Sequence, residues 1–178
     1  MFATLKSLVI LLALVLSGCA ATVNRPSGEG QSPLSGKTRP SAISLLITGD
    51  EAMQQSADWQ TFRAEWRSAF SASASAAGLN ATYLETEPPD QPPDTVLVFV
   101  AVNDYRYITP AARFGFGIMT GNAFVDADAE FFEFPNRRSI GKRKYSTSST
   151  AWQGVFSAMT DKQVRAISDT MLQELLQR

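Results

Sequence analysis

The sequence predicts one α+β domain over residues 42–178, in the order β-α-β-β-β-β-α, with a largely antiparallel sheet and two helices packed on one of its faces. Two segments repeat apolar residues at spacings of three and four, which is typical of amphipathic helices. Short runs rich in β-branched and aromatic residues indicate five strands, four of them between the two helices. Strands grouped in this way favour α+β over an alternating α/β fold.

The first strand and the first helix have clear limits. Ala42–Thr48 is an apolar run that ends at Gly49-Asp50, which predicts a buried strand. A helix is predicted from about Ala57 to Ala77, with Gly78 as the residue that ends it. One face of this helix carries the apolar and small residues Trp59, Phe62, Trp66, Phe70, Ser73 and Ala77, and we interpret that face as core.

Two strands follow, one on each side of a proline-rich loop. Ala81–Glu85 is predicted as the second strand, and residues 87–94, with four prolines, as a stiff surface connector. Thr95–Tyr107 is the strongest strand in the chain, and it is apolar on both alternating faces. We therefore predict a central strand, covered on both sides or on one side by helices.

A hairpin and a closing helix complete the domain. Phe124–Phe134 and Ile140–Thr147 flank a turn, and a turn centred near Arg137 would set Glu130 opposite Lys144 and Phe132 opposite Lys142. Thr160 and Gln163 match a capping box that begins the last helix. Its apolar face consists of Val164, Ile167, Met171, Leu172 and Leu175.

The absence of histidine excludes several chemistries. The chain has no histidine and a single cysteine, Cys19, so the folded domain has neither a serine or cysteine triad nor thiolate or histidine metal sites. The charges, 16 basic against 17 acidic, lack the basic excess of a nucleic-acid binder, and we expect no nucleic-acid partner.

The first nineteen residues predict export and anchoring. Lys6, the apolar run Leu8–Leu16 and the small residues Ser17-Gly18 have the form of a signal peptide over residues 1–18. Nine apolar residues cover only ~14 Å, too little for a membrane span. Plain secretion and a spanning helix stay open as alternatives. Residues 20–41, rich in Ser, Pro and Gly, predict a disordered tether.

Leu16-Ser17-Gly18-Cys19 resembles the lipobox of bacterial lipoproteins. The resemblance implies a diacylglyceryl group on the Cys19 thiol, cleavage before Cys19 and acylation, such as palmitate, of the new amino terminus. Ala20 stands where lipoproteins retained in the inner membrane carry Asp, which implies outer-membrane localisation, with the domain facing the periplasm.

From Val96 to the end, the chain is similar to a family of uncharacterised Gram-negative lipoproteins that carry a domain of unknown function. The residues that carry the resemblance are the valine-rich strand ending in Asp104-Tyr105-Arg106-Tyr107, the apolar segment through Gly121, the acidic strand and the last helix. That family resembles envelope assembly lipoproteins, including curli-secretion-like proteins and the amino-terminal domain of TolB-like proteins. It implies no catalytic residues.

Two sets of residues are candidates for a site. The first is a partner-binding surface at the end of the central strand and in the segment after it, comprising Tyr105, Arg106, Tyr107, Phe114, Phe116, Ile118 and Met119. The alternatives are a charged strand end and a lid on the domain's own core. The second set, Asp126, Asp128 and Glu130, projects from one face of one strand. It is either a solvated face paired with lysines or a site for a hard cation or acid–base chemistry.

Together these patterns predict a non-enzymatic outer-membrane lipoprotein with a periplasmic binding or assembly domain, an accessory in envelope biogenesis or secretion. We expect no cofactor, no metal and no catalytic residue. The partners would be the membrane, through the lipid anchor, and an envelope protein, and a homo-oligomer is open. The alternative is a metal- or carboxylate-dependent hydrolase acting on an envelope polymer.

Overall fold

The computed structural model describes residues 23–24, 33–36, 39–108, 122–148 and 159–177. Its elements, in chain order, are β1 (Val23–Asn24), β2 (Ala42–Thr48), α1 (Glu51–Gln54), α2 (Trp59–Ala76), β3 (Asn80–Leu84), β4 (Thr95–Arg106), β5 (Phe124–Glu133), β6 (Arg138–Ser148) and α3 (Met159–Leu176). The predicted α+β class is confirmed. The sequence did not predict β1 or α1. No helix in the described ranges is long and apolar enough to cross a membrane.

The described strands form one sheet in the order β1-β6-β5-β4-β2-β3. Of its five pairings, three are antiparallel, whereas β2 runs parallel to both β3 and β4. Parallel neighbours need a crossover connection, and α2 supplies it between β2 and β3. The strand β4 lies between β2 and β5, in the interior position predicted for it.

Both long helices cover the same face of the sheet. The main core joins Trp66 and Phe62 of α2 and Ile167 of α3 to the alternate residues Val96, Val98, Val100 and Val102 of β4. The predicted apolar faces of both helices are buried, apart from Ala77 beyond the end of α2, which is half-buried. Gly78 follows with a φ of 73°, a left-handed conformation that glycine adopts without strain, and α2 ends there as predicted.

A loop, not a helix, covers part of the other face. Leu46, Leu97 and Phe134 form a second, smaller core there, with Phe99 and Phe132 packed against it. The proline-rich connector runs beside this second core, where Ser44 Oγ donates a hydrogen bond to Gln91 Oε1 at 3.1 Å. β4 is apolar on both sides because it contributes to both cores.

The hairpin is confirmed, but its predicted register is wrong. Glu130 pairs with Lys142 rather than Lys144, and Phe132 pairs with Ser139 rather than Lys142. The cause is the position of the turn: Glu133 pairs with Arg138, so the turn is centred between Pro135 and Asn136 rather than near Arg137. An irregularity between Phe131 and Phe132 then changes the pairing by one residue, because a bulge inserts an extra residue into one strand.

The predicted capping box at the start of α3 is also wrong. Thr160 lies inside the helix, which begins at Met159, and its buried hydroxyl has no hydrogen-bond partner in the described part of the chain. Gln163 does not reach back to Thr160. Its Nε2 donates instead to the carbonyl oxygen of Ala123, 2.8 Å away, because the side chain is fully buried against the start of β5.

The described parts of the predicted tether are docked on the domain, which corrects the prediction of disorder at these positions. Val23 pairs with Thr147 of β6, and the Ser35 amide donates to the Ile140 carbonyl at 2.8 Å. Leu34 is 4% exposed and belongs to the main core. It packs so closely on Gly141 that a Cβ there would lie 2.6 Å from Leu34 Cδ2. Cys19 and the predicted signal peptide lie outside the described residues.

Candidate functional site

The side of the sheet away from the helices carries the most distinctive surface among the described residues, and we call it the open face. Asp126, Asp128 and Glu130 of β5 alternate with Val125, Ala127 and Ala129, which are buried under the helices. Because side chains alternate along a strand, the three carboxylates share the open face, as predicted. Lys142 and Lys144 of β6 lie beside them.

Each carboxylate of this row has a described partner. Glu130 forms an ion pair with Lys142 at 3.0 Å, and Asp126 with Lys144 at 3.5 Å. Asp128 accepts a 2.8 Å hydrogen bond from Asn103 Nδ2. The lysine-paired interpretation of this strand therefore holds, but Lys142 pairs with Glu130 and Lys144 with Asp126, whereas the predicted register set Lys144 opposite Glu130.

The open face contains a groove that crosses the strands. One cavity of about 330 Å³ is lined by Phe99, Ala101 and the charged residues of β5 and β6. A second cavity, of about 310 Å³, adjoins it at Phe99 but lies at the end of β2, where Trp59 and Arg63 of α2 also line it. Leu46, Phe99, Glu130 and Lys142 lie in one cross-strand row from β2 to β6, a width of ~14 Å at ~4.8 Å per strand.

Of the predicted contact residues in β4 and just after it, the structure turns two towards the helices. A register shift between Val102 and Asp104 brings Tyr105 to the helix side. Its ring stacks on Phe62 at 4.2 Å, and its hydroxyl donates to Asp58 Oδ1 at 2.7 Å. Burial raises the pKa of Tyr105 to about 12. Arg106 is exposed and lies over the Phe124 ring, 5.7 Å from its centre.

Tyr107 is tied to α2 as well. Its hydroxyl donates to Glu65 Oε1 at 2.7 Å, while the buried Glu65 Oε2 has no hydrogen-bond partner among the described residues. Burial raises the pKa of Glu65, and the nearby charge of Asp161 raises it further, against the opposite effect of the Tyr107 hydrogen bond. Burial and the Glu65 carboxylate raise the pKa of Tyr107.

The two helices also hold the chain on either side of residues 109–121. Ile108 and Ala123 form a small buried cluster of their own, and the Gln163 bond to Ala123 links this cluster to α3. The predicted contact residues Phe114, Phe116, Ile118 and Met119 lie outside the described residues. Their proposed role stays a prediction.

No group of three or more His, Cys, Asp or Glu side chains in the described ranges could hold a metal ion. Sequence reasoning missed the groove, since it treated Phe99 only as a member of an apolar strand. It also missed Glu65, whose burial depends on the packing of Tyr107 against α2. The one local signal was a glutamate directly before Trp66 in a helix whose apolar face is otherwise regular.

Comparison with known proteins supports the fold alone. A scan against protein-family models found no match, and neither did a search of the curated proteins. Among solved structures, the chain is similar to PelC from Paraburkholderia phytofirmans, a dodecamer, with 14% identity and a TM-score of 0.51 over 87% of this chain and 96% of that chain. A Xanthomonas campestris protein of the family DUF330 has 8% identity and a TM-score of 0.46, over 77% and 86% of the two chains.

Proposed function

We propose that this chain is an outer-membrane-anchored lipoprotein whose periplasmic domain binds another envelope protein and catalyses no reaction. Its role would be that of an accessory in envelope biogenesis or secretion. The anchor rests on Leu16-Ser17-Gly18-Cys19 and on Ala20 after it. The domain's part of the proposal rests on the open face.

One observation supports binding over hydrolysis. A hydrolase that uses two carboxylates needs one of them available as an acid and the other as a base. Asp126, Asp128 and Glu130 are instead each engaged by a lysine or an amide of a neighbouring strand. Fixed charges of both signs around the apolar surface of Phe99 and Ala101 form a pattern that suits a protein partner with complementary charges.

Self-association is part of the proposal. The PelC chain that shares this fold is described as a dodecamer. Assembly from identical subunits would multiply the number of lipid anchors per particle, and several acyl chains hold a protein at a membrane far more firmly than one. Twofold or ring assembly are both compatible with this part of the proposal.

The experiment has two stages. Intact mass and membrane partitioning of the wild type and of Cys19→Ala test the anchor, and we expect acylation and membrane retention in the wild type only. Crosslinking and affinity capture from the same membranes then compare Ala101→Arg, which fills the groove, with Ala72→Arg on the exposed side of α2. A protein captured by wild type and Ala72→Arg but lost with Ala101→Arg, at equal melting temperatures, supports the proposal. An unacylated wild type overturns the anchor, and equal capture by both variants overturns the groove.

A further inference from the structure

The two edges of the described sheet differ in how they are covered. At the β6 edge, Val23 and Asn24 add a short strand, and Ser35 hydrogen-bonds Ile140. At the other edge, β3 pairs with β2 on its inner side, and no described residue hydrogen-bonds the backbone of Asn80–Leu84 on its outer side. An uncovered edge strand is a template for pairing with another chain.

We propose that two copies of this chain pair through β3, antiparallel and related by a twofold axis at Thr82. The inference rests on the self-association in the proposed function and specifies its interface. The pairing would set Thr82 opposite Thr82 of the second copy, Ala81 opposite Tyr83, and Asn80 opposite Leu84. Two six-stranded sheets would then become one continuous sheet, an isologous contact that closes on itself.

The side chains of β3 suit this register. On the helix side, Arg63 Nε donates to the Tyr83 hydroxyl at 2.8 Å, and the Arg67 guanidinium lies over the ring at 4.4 Å. Tyr83 is therefore held in place before any contact forms, and the small Ala81 leaves room for it across the axis. On the other side, Thr82 is exposed. Two threonines directly opposite each other across antiparallel strands stabilise a sheet.

The charges at the two ends of β3 are complementary under the same axis. Before β3, Arg39 is exposed and donates to the Ala77 carbonyl at 3.0 Å. After β3, Glu85 is 60% exposed although it already pairs with Arg63 and Arg67. An antiparallel twofold brings the beginning of one β3 to the end of the other, so Arg39 of each copy approaches Glu85 of its partner. Charge complementarity of this kind fixes register.

A head-to-tail contact is the competing arrangement. It would join β3 of one copy to the β6 edge of the next, where β1 and Ser35 already lie. That contact would have to displace these residues, whereas the twofold pairing leaves every described residue in place. This difference favours the twofold pairing of two β3 strands over the head-to-tail contact.

Single cysteines in a Cys19→Ala background test the register, because the engineered residue is then the only thiol. In the twofold pairing Thr82→Cys places two thiols on facing residues, with Cβ atoms ~4.5–5.5 Å apart. Asn80→Cys, the matched control on the same face of β3, places them ~14 Å apart along the strands at ~3.4 Å per residue. We expect a covalent dimer from Thr82→Cys under mild oxidation or with a short bis-maleimide, and none from Asn80→Cys.

Size measurements complete the test. Thr82→Lys sets two like charges against each other at the twofold axis, so light scattering should show a monomer. Thr82→Val is the control and should keep the assembly. Circular dichroism checks that both variants fold. A monomeric wild type, a covalent dimer from Asn80→Cys, or an assembly that survives Thr82→Lys would each overturn the interface. An assembly that survives Thr82→Lys would leave the proposed self-association standing, and the groove variants test partner binding separately.

Discussion

Arg143 of β6 and Glu174 of α3 form an ion pair beneath the last helix, with 3.2 Å between Arg143 Nε and Glu174 Oε2. Their side chains are only 7% and 13% exposed. The Tyr145 hydroxyl donates to the same glutamate oxygen at 2.8 Å. One carboxylate therefore joins two residues of β6 to the helix that closes the domain.

Removing the Glu174 carboxylate should lower the free energy of unfolding. Glu174→Ala removes the carboxylate that pairs with the buried Arg143 charge, and loss of one member of a buried pair costs about 3–5 kcal/mol in the free energy of unfolding. Urea denaturation at neutral pH measures this loss. Glu51→Ala, at an exposed position of α1, is the control and should change the free energy by less than about 1 kcal/mol. Equal effects of the two substitutions would mean that the buried pair contributes nothing.

The raised pKa of Glu65 predicts how the stability of the fold changes with pH. Its pKa is raised in the folded state, so folding favours the protonated acid. The associated stability is fully present below the ordinary value of 4.5 and is lost as pH rises through the raised pKa. Glu65→Gln removes this titration, so the variant should gain stability relative to wild type as pH increases above 4.5. Thermal denaturation from pH 4 to 8 measures the difference, and a constant difference would contradict the prediction.

The docking of residues 33–36 gives a third prediction. Leu34→Ala removes a buried side chain from the main core and should lower the free energy of unfolding by about 2–5 kcal/mol. Pro33→Ala, at the exposed neighbouring position, should change it by less than about 1 kcal/mol. If this segment were a free tether, both variants would unfold like the wild type.

The acidic residues of β5 give a fourth prediction, which concerns calcium. Because the carboxylates on the open face are already paired, millimolar CaCl₂ should leave the melting temperature unchanged, and Asp128→Asn should respond in the same way. A rise in melting temperature with calcium that disappears in Asp128→Asn would support the hydrolase alternative. MgCl₂ at equal ionic strength controls for screening of the surface ion pairs.

The sequence predicted the limits of the strands and helices better than it predicted which strands pair. The strands from β2 to β6 and both long helices begin and end within a few residues of their predicted limits, because periodicity and turn residues are local signals. The parallel pairing of β2 with β4 depends on contacts about 50 residues apart, which no local pattern records. Leu34 was missed for a related reason, since a lone apolar residue among Pro, Ser and Gly has no periodicity.

The site was harder to predict than the fold. Tyr105 and Arg106 were predicted to act together, but the register shift after Val102 turns Tyr105 towards α2 and leaves Arg106 on the open face. The face to which a strand residue points changes with a single inserted residue, and nothing in the sequence marks that insertion. The acidic row was predicted correctly because it lies in a regular stretch of β5.

If Cys19 is lipidated as proposed, the pairing of Val23 with Thr147 would keep the domain close to the bilayer. Four residue steps separate Cys19 from Val23, and in any conformation they span at most ~14 Å at ~3.3–3.6 Å per residue. A lipidated Cys19 would hold the end of β6 at the membrane surface, so the domain could not move far from the membrane into the periplasm. The β3 edge lies at the opposite side of the sheet, so the proposed β3 pairing would place the two β1 strands at the two ends of the joined sheet. Both lipidated copies would then reach one leaflet only if the joined sheet lies along the membrane surface.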